Sequence, residues 1–440
     1  MKISVIGCGY LGAVHAATLA SIGHDVVGLD NDSARVALLA GGRAPFHEPG
    51  LEPLLREGLD AGRLEFTADP ARLAAADVHF LCVGTPQSKT ANAADLSQLL
   101  DAVAALRPHV RPGALVVGKS TVPVGTANAV AGYLSGTGAE LAWNPEFLRQ
   151  GTAVQDSLLP DRLVYGVAGD GPVSVLDAVY AAVLDRGTPR VVTDFATAEL
   201  IKVAANAFLA LKLSFINAVG EFCEDAGADV VRLSEALGHD GRIGGRYLQA
   251  GAGFGGGCLP KDLRSFRSQA QQRGVESLDE LLSLVDGINA DARFRAAERA
   301  VRLCGGSVEG RRITILGAAF KPGTDDIRDS PALDVALQLA AQGAVVTVTD
   351  PQALGNARLQ CPQLAFEAEP LDALRGAELA VLLTEWPEFT GLDPEAAAAA
   401  MARAVVLDGR NALDAAAWRR AGWAYCGMGA QQPRTSSPVA

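Results

Sequence analysis

Short apolar runs alternate with stretches of helical spacing in the N-terminal third of the chain. Residues 3–7 predict a buried strand, a glycine turn follows, helical periodicity extends to Ala20, and a second strand is predicted at 25–30. Further apolar runs that end in turn residues lie at 78–83, 114–118 and 140–143, with helical spacing at 96–106. This alternation predicts βαβ units in a parallel, doubly wound sheet.

The middle of the chain follows a different pattern. A long amphipathic helix is predicted from Ala196 to about Gly227, and shorter helices and a glycine-rich loop at 251–257 follow it without a strand signal. A second α/β block begins at Arg312. Its predicted elements are strands at 313–316, 345–349, 379–383 and 405–408 and a helix at 331–342.

We therefore predict an α/β protein in which two Rossmann-like, doubly wound domains are joined by a central helical domain with a long helix. The predicted boundaries are 1–195 for the first domain, 196–300 for the helical domain and 301–428 for the second doubly wound domain. Residues 429–440 are predicted to be a disordered tail.

Composition narrows the class of protein. The chain has 440 residues, enough for two or three domains of about 150 residues. A hydrophobic share of 49%, with no run of about 18 uncharged apolar residues, predicts a soluble globular protein without a membrane partner. The 38 Lys and Arg against 50 Asp and Glu give a net charge of −12 and form no basic stripe, which argues against a nucleic-acid partner.

The cysteines and the N-terminus indicate the compartment. The seven cysteines are odd in number and scattered, with no CxxC pair, so we expect reduced thiols and no metal site. The first residues enter an apolar run at residue 3, which leaves no room for a signal peptide. We therefore expect a cytoplasmic protein.

A GxGxxG motif, GCGYLG, lies between the first predicted strand and helix. Gly7 would permit the tight turn, Gly9 the approach of a pyrophosphate, and Gly12 close helix packing. Asp30 would accept hydrogen bonds from a ribose 2′-hydroxyl and repel a 2′-phosphate, which predicts NAD rather than NADP. Arg35 opposes this prediction, because a nearby arginine could hold a phosphate. A glycine turn without a cofactor is the alternative.

A second candidate site is the segment GFGGGCLPKD, in which Cys258 precedes a helix that Pro260 would open. The helix N-terminus and Lys261 would favour the thiolate, and the glycines leave room for a substrate. A buried, inert cysteine is the alternative. That state is expected of three others, Cys8, Cys82 and Cys223.

Lys202 and Asn206 lie four residues apart on one face of the predicted long helix, among mostly apolar neighbours. One explanation is a lysine whose ammonium extends to the surface. The other is a polar pair that holds a hydroxyl or a developing oxyanion.

Together with further motifs, these segments resemble the UDP-glucose 6-dehydrogenase family, within the nucleotide-sugar dehydrogenases that include the GDP-mannose and UDP-N-acetylmannosamine enzymes. The motifs stand in order over nearly the whole chain: GCGYLG at 7–12, CVGTP at 82–86, KSTVPVG at 119–125, NPEFL at 144–148, ELIKVAAN at 199–206, the Cys258 loop, FKPGTDDIR at 320–328 and DGRN at 408–411. The resemblance implies an N-terminal NAD domain, a central helical domain with a dimer contact, and a C-terminal UDP-binding domain.

The resemblance also implies a reaction. The C6 alcohol of UDP-glucose is oxidised to a carboxylate with two NAD and one water, and the aldehyde is not released. Hydride can leave the alcohol once a base accepts its proton, but the aldehyde needs a nucleophile before it can lose a second hydride. Cys258 would form a thiohemiacetal and then a thioester, which water hydrolyses.

Roles carried over by matching motif are implied in the same way. Lys202 and Asn206 would stabilise the oxyanion and the tetrahedral intermediates, and Asp262, Thr121 and Glu146 would position water or relay protons. The identity of the general base stays open, because Lys202 must be charged to stabilise an oxyanion and neutral to act as a base.

Positions near NAD in the family correspond to Leu11, Asp30, Arg35, Thr85, Thr121, Lys261 and Arg328, besides Gly7, Gly9 and Gly12. Positions that touch the UDP-sugar correspond to Glu146, Phe147, Leu148, Arg149, Gln150, Lys202, Asn206, Tyr247, Leu248, Gln249, Ala250, Gly251, Gly255 and Lys321. Arg242 resembles an arginine that reaches into the neighbouring subunit's site, which implies a homodimer.

Some positions depart from the family pattern. Gly257 replaces a common Ser, Gln150 a common Glu and Thr349 the usual Tyr, and none of them removes a proposed catalytic group. Three alternatives stay open: a sister enzyme for GDP-mannose or UDP-N-acetylmannosamine, an inactive NAD-binding regulatory homologue, and a one-step 3-hydroxyacid dehydrogenase. The last would need neither the cysteine loop nor the third domain.

Overall fold

The structure is a computed structural model that describes residues 1–88 and 92–429. The chain divides into two compact units. The first comprises residues 1–205 and 264–273, and the second comprises residues 206–263 and the chain from Gly274 on. Apart from Gly429, the tail predicted for 429–440 lies outside the described residues.

The first unit is built on an eight-stranded sheet in the order β3-β2-β1-β4-β5-β6-β7-β8. Its strands are β1 (Lys2–Ile6), β2 (Asp25–Leu29), β3 (Leu64–Thr67), β4 (Val78–Leu81), β5 (Leu115–Gly118), β6 (Glu140–Trp143), β7 (Leu163–Val167) and β8 (Arg190–Thr193). The first six strands have the Rossmann order and are parallel.

Strand β7 differs from the all-parallel sheet that the sequence pattern predicted, because it runs antiparallel to β6. A parallel connection needs a crossover that returns the chain to the opposite end of the sheet. The residues between Trp143 and Leu163 instead form a loop and one short helix, so the chain re-enters the sheet from the end at which β6 stops. Strand β8 then pairs parallel to β7.

Helices cover the sheet of the first unit. They are α1 (Tyr10–Ser21), α2 (Ser33–Ala40), α3 (Leu51–Asp60), α4 (Ser97–Leu106), α5 (Thr126–Leu134), α6 (Ala153–Leu158), α7 (Gly171–Val179) and α8 (Ala181–Leu184), with a 3-10 helix at Pro70–Ala75. Successive strand residues enter opposite cores, since Val5 and Val117 belong to one cluster and Ile6 and Val116 to the other. Burial on both faces explains why these strands read as continuous apolar runs.

Four helices follow the first sheet: α9 (Phe195–Ala226), α10 (Val230–Gly238), α11 (Leu259–Gln272) and α12 (Glu276–Leu303). By length and composition α9 could cross a membrane, a test that core helices of soluble proteins also pass, and 39% of its most apolar window is buried. Within the second unit, Ile216 and Cys223 of α9 are buried, whereas Phe208, Phe215 and Phe222, spaced by seven residues, are exposed.

The second unit contains a six-stranded parallel sheet in the order β11-β10-β9-β12-β13-β14. Its strands are β9 (Arg312–Leu316), β10 (Val345–Thr349), β11 (Ala365–Phe366), β12 (Leu379–Leu382), β13 (Val405–Asp408) and β14 (Ala424–Gly427). Its helices are α13 (Pro331–Ala341), α14 (Leu354–Gln360), α15 (Pro370–Leu374), α16 (Pro387–Thr390), α17 (Pro394–Ala400) and α18 (Ala415–Arg420). Two doubly wound sheets and a long helix between them in sequence confirm the predicted fold class.

Candidate active site

The glycine motif forms the turn between β1 and α1. Gly7 has φ of +87°, and a Cβ there would lie 2.7 Å from a methyl group of Val83. A Cβ on Gly12 would lie 1.8 Å from the carbonyl oxygen of Gly7, so helix and turn pack as closely as glycine allows. A Cβ on Gly9 would meet nothing within 4 Å. The backbone at Gly9 therefore faces open space at the N-terminus of α1, as a pyrophosphate site requires.

Asp30 directly follows β2 and is 5% exposed. Its carboxylate accepts hydrogen bonds from the backbone N–H groups of Cys8 at 2.7 Å and Asp32 at 2.9 Å. Arg35 donates to both oxygens of the same carboxylate, at 2.9 and 3.0 Å. The arginine that could have held a 2′-phosphate is thus paired with Asp30, which favours NAD.

Hydrogen bonds join two loops that follow neighbouring strands, and one of them comes from Thr85. The hydroxyl of Thr85, after β4, donates to the carbonyl of Thr121, after β5, at 2.7 Å. The carboxylate of Glu199 on α9 accepts from the N–H groups of Gly125 and Ala127 at the start of α5, at 2.7 and 2.6 Å. Burial raises the pKa of Glu199, although these bonds favour its ionised form.

Glu146 and Lys202 form an ion pair in the first unit. Glu146 Oε1 lies 3.0 Å from Lys202 Nζ, and Glu146 Oε2 accepts from the N–H of Leu148 at 2.8 Å. Lys202 is 4% exposed. Its ammonium therefore does not extend to the surface, and the carboxylate stabilises its charged form.

The other residues of the 146–150 loop are held from several sides. The Phe147 ring lies 3.8 Å from the guanidinium carbon of Arg162 and 5.5 Å from Lys202 Nζ. Arg149 pairs with Asp156 at 2.6 Å, and Gln150 is buried.

Glu48 anchors the end of the same loop and was missed in the sequence analysis. It is 5% exposed and accepts from the N–H groups of Gly151 and Ala153 at 2.6 and 2.7 Å. Tyr10 of α1 also donates to it. No motif marks Glu48, so only the structure reveals this role.

Lys119 is a second functional candidate without a predicted role. It directly follows β5, is 6% exposed, and donates to Asn144 Oδ1 at 2.9 Å and to the Tyr180 hydroxyl at 3.2 Å. Burial lowers its pKa to about 8, and the charge of Lys202 acts in the same direction. A charged residue at the end of a fully apolar strand was the signal available in the sequence.

Cys258 lies in the second unit and is the one exposed cysteine of the seven. Helix α11 begins at the next residue, and the N–H of Asp262 donates to the carbonyl of Cys258 at 2.8 Å. Cys258 is therefore the N-cap residue of α11, where the helix dipole favours a thiolate.

Asp262 connects two predicted residues, Asn206 and Lys261. It is 1% exposed, its Oδ2 accepts from Asn206 Nδ2 at 2.6 Å, and its Oδ1 accepts from Lys261 Nζ at 2.6 Å. The buried carboxylate is thus balanced by a cation and fixes the orientation of the Asn206 amide.

The glycines before Cys258 permit contacts that side chains would block. A Cβ at Gly255 would lie 2.2 Å from the carbonyl oxygen of Asp329, and a Cβ at Gly257 would lie 2.2 Å from the guanidinium carbon of Arg328. Arg328 is itself held by Asp326 at 2.5 Å, and this hydrogen bond raises its pKa. Glycine in place of the common Ser at 257 therefore lets the guanidinium lie against the cysteine loop.

Residues outside the predicted set hold the start of this loop. Asn289 on α12 accepts from the N–H of Phe254 at 2.7 Å, and Arg293 donates to the Phe254 carbonyl at 2.7 Å. Arg410 donates to the carbonyl of Gly253 at 2.7 Å, and Asn411 to that of Ala250 at 3.0 Å.

The predicted UDP-sugar residues of the second unit differ in exposure. Tyr247 has φ of +63°, a conformation that non-glycine residues rarely adopt, while the side chains of Leu248 and Ala250 are buried in a core cluster. Gln249 is exposed. The Gly251 N–H donates to Asn217 at 2.8 Å. Arg242 lies shortly before this loop in sequence, and its side chain is 89% exposed and paired with Asp240. Lys321 lies further along the chain, with its Nζ 5.7 Å from the centroid of the Phe320 ring.

Comparison with known proteins identifies the family. Residues 1–184, 196–291 and 314–415 match the NAD binding, central and UDP binding domains of the UDP-glucose/GDP-mannose dehydrogenase family. The chain belongs to this family. The resemblance inferred from the motifs is confirmed, and the matched domains confirm NAD as the cofactor and a UDP-binding domain at the C-terminal end.

Relatives of this dehydrogenase family match over nearly the whole chain. The chain is 38% identical to a UDP-glucose 6-dehydrogenase of Rhizobium meliloti, covering 98% of this chain and 99% of the relative. It is 39% identical to one of Bacillus subtilis, covering 93% of each. A solved UDP-glucose dehydrogenase structure from Pyrobaculum islandicum is 39% identical, with a TM-score of 0.88 and 98% of each chain covered.

Proposed function

We propose that this protein is an NAD-dependent UDP-glucose 6-dehydrogenase that converts UDP-glucose to UDP-glucuronate. The observation that carries the proposal is the exposed Cys258 at the N-terminus of α11, at the end of a glycine loop with no room for side chains. A dehydrogenase that oxidises an alcohol once needs no such nucleophile. Relatives named UDP-glucose 6-dehydrogenase, at 36–39% identity, support this substrate over the other nucleotide sugars of the family.

The residues of the first unit fit an NAD molecule. Gly9 opens onto space that a side chain would fill, and Asp30 is fixed at the end of β2 by two backbone N–H groups. NAD, when bound, accepts the hydride in each oxidation. Thr85 and Thr121 fix two adjoining loops to each other, and we assign them and Leu11 to the same binding surface. Lys261 and Arg328 of the second unit are proposed to contact it too.

Cys258 is proposed to act as the nucleophile of the second oxidation. The Cys258 sulfur adds to the aldehyde carbon, and the carbonyl oxygen takes a proton to give a thiohemiacetal. Loss of a hydride and of the hydroxyl proton gives a thioester, and water then cleaves the carbon–sulfur bond. Over one turnover the alcohol, two NAD⁺ and one water give a carboxylate, two NADH and three protons.

The surrounding polar groups are proposed to stabilise charge and position water. We assign Lys202 to oxyanion stabilisation rather than to the base role, because Glu146 lies 3.0 Å from its ammonium. Asn206, whose amide is oriented by Asp262, would act on the same developing charge. Glu146, Asp262 and Thr121 would position the hydrolytic water and relay protons.

The UDP-sugar is proposed to be held by the 146–150 loop, the 247–251 loop, Gly255 and Lys321. The buried side chains of Leu248 and Ala250 leave their backbone groups as the available contacts.

We also propose domain boundaries near residues 195 and 300, between the regions matched by the three family domains. A cytoplasmic location, where thiols stay reduced, suits a nucleophilic Cys258.

A homodimer is proposed to form through the exposed face of α9. Phe208, Phe215 and Phe222 are 62%, 51% and 72% exposed and recur every seven residues, so they share one face of the helix. Exposed aromatic side chains on one helix face favour burial against a partner of the same kind. Arg242, 89% exposed, would reach the neighbouring subunit's substrate.

The test is the number of NADH molecules formed per nucleotide sugar. Wild-type protein is supplied in turn with UDP-glucose, UDP-galactose, GDP-mannose and UDP-N-acetylmannosamine, and absorbance at 340 nm is compared with sugar consumed. Two NADH per UDP-glucose, with Cys258→Ser stalled before free acid appears, are expected. One NADH per sugar with released aldehyde would refute the cysteine mechanism, and turnover only with another sugar would refute the substrate assignment.

A further inference from the structure

Lys119 is a buried cation in the first unit that the mechanism above does not use. Its ammonium donates to two neutral groups, Asn144 and Tyr180, and lies 5.9 and 5.6 Å from the ring centroids of Phe80 and Tyr180. Over residues 1–88 and 92–429, no carboxylate oxygen lies within ion-pair distance of it. The groups in direct contact with the charge of protonated Lys119 are therefore dipoles and ring faces, and the Glu146 carboxylate acts on it from beyond ion-pair distance.

Lys202, which is also buried, is in a different situation. Glu146 lies 3.0 Å from Lys202, and this carboxylate stabilises the charged form. Burial without such a partner lowers the pKa of Lys119 to about 8. Lys119 can therefore exchange its proton near neutral pH.

The titratable groups that face Lys119 from other elements do not compete with it as proton carriers near neutral pH. Burial lowers the pKa of His15 on α1, and raises the pKa of the Cys82 thiol after β4 to about 12 and that of the Tyr180 phenol well above its ordinary value. These three groups are therefore uncharged around neutral pH. Glu146 and Lys202 are the charged groups that act on Lys119 in the described part of the chain.

A cavity connects Lys119 with Glu146. It has a volume of about 60 Å³ and is lined by both residues, by His15 and Tyr180, and by the exposed residues Arg149 and Asp161. A polar cavity needs roughly 10–15 Å³ to hold one water molecule, so this one has room for a short chain of them. The cavity thus offers a proton path from Glu146 past Lys119 to residues at the surface.

We propose that Lys119 takes protons from Glu146 through this cavity during turnover and passes them to solvent. The inference rests on the proposed function, in which oxidation of one alcohol to a carboxylate releases three protons. A proton on the Glu146 carboxyl moves to the free amine of Lys119, which leaves a carboxylate and an ammonium. The ammonium then releases the proton towards the surface and becomes a free amine again. In this proposal Lys119 acts on the reaction through Glu146.

The test is the pH dependence of turnover in wild type and Lys119→Met, which keeps an unbranched side chain one atom shorter but cannot hold a proton. The rate of NADH formation with saturating UDP-glucose is measured from pH 6 to 9.5. We expect the wild-type kcat to rise with pH through a group near pH 8 and this limb to vanish in Lys119→Met. Because general acid–base groups contribute roughly 10²- to 10⁴-fold, the relay behind one is expected to contribute about tenfold in kcat. The KM for NAD should stay within about twofold.

Tyr180→Phe is the matched variant, and it tests the role of Lys119 if Lys119→Met does not fold. It keeps the amine but removes one of the two oxygens that accept from the ammonium, so the limb should move to lower pH. The inference would be overturned if the rise of kcat with pH were the same in Lys119→Met as in the wild type. If only Tyr180→Phe is soluble, an unchanged midpoint of that rise in Tyr180→Phe would overturn it.

The two proposals can fail separately. If NADH forms only with another nucleotide sugar, the substrate assignment fails and the same pH profiles, taken with that sugar, still decide the role of Lys119. If no nucleotide sugar gives NADH, both proposals are refuted.

Discussion

Replacement of Lys119 by Met should change how the stability of the first unit depends on pH. The pKa of this amine is lowered from 10.5 to about 8 by burial, which corresponds to a cost of about 3 kcal/mol for its charged form in the folded chain. Below pH 8 the folded and unfolded chains both carry the proton, and the whole cost is present. Between pH 8 and 10.5 only the unfolded chain keeps it, so the stability of the wild type rises with pH.

The expected quantity is a difference between two proteins. Lys119→Met has no charge to bury, so its advantage in unfolding free energy over the wild type should shrink by about 2.5 kcal/mol between pH 7 and pH 10. Every other group that titrates in that range is present in both proteins, so its contribution to the unfolding free energy cancels in the difference. The hydrogen bond from Tyr180 to Asn144, 2.7 Å long, does not involve Lys119 and should limit local disorder in the variant.

The assay must report on the first unit alone. Cys82 is 5% exposed and close to Lys119, so it becomes reactive to an alkylating reagent only when this unit opens. Pulsed alkylation in increasing urea, read by peptide mass spectrometry, gives the unfolding free energy at each pH. Tyr180→Phe retains the amine and should keep the rise of the wild type. A difference between wild type and Lys119→Met that changes by less than about 1 kcal/mol would refute the idea that this amine is buried without a carboxylate in contact.

Three further predictions concern the cofactor, the substrate loop and the dimer. Gly9→Ala should keep the melting temperature but weaken NAD binding about tenfold or more in calorimetric titration, whereas Gly12→Ala should also lower the melting temperature, because its Cβ would lie 1.8 Å from a carbonyl oxygen. Glu48→Ala removes the acceptor of two backbone N–H groups and should raise the KM for UDP-glucose about tenfold with the KM for NAD unchanged; equal changes in both would contradict the anchoring role. Phe215→Asp should give a monomer in light scattering, while Leu359→Asp, at a residue 85% exposed on α14, should not; a dimer in both would exclude α9 as the interface.

Much of the fold could be predicted from hydrophobic patterning. Buried parallel strands read as apolar runs, and β6, β10 and β13 lie where the pattern placed them. Strand β8 was missed because three of its four residues are exposed, and β11 because it has two residues. The reversal at β7 depends on how 144–162 packs, which no local pattern records.

The candidate site was predicted as separate motifs. Which residues of different motifs contact each other could be seen only in the folded structure. Glu146 and Lys202 stood in different motifs 56 residues apart, and nothing in their spacing indicated an ion pair. The pair answers a question left open by the sequence, since it favours the charged form of Lys202. Lys119 stood inside a recognised motif, but its role depends on burial and on the lack of a carboxylate partner in the described residues, both of which are properties of the folded chain.

The two sheets show how far one sequence pattern can differ in function. Each has a strand, a glycine turn, a helix and a second strand that is followed directly by an aspartate. Asp30 is held by two backbone N–H groups and by Arg35, whose side chain is 33% exposed. Asp350 is held by four backbone N–H groups and by the indole of Trp386, which is 4% exposed. Every lone pair of Asp350 is used by donors fixed in the core, so the second sheet keeps the architecture of a dinucleotide site while its aspartate serves the fold.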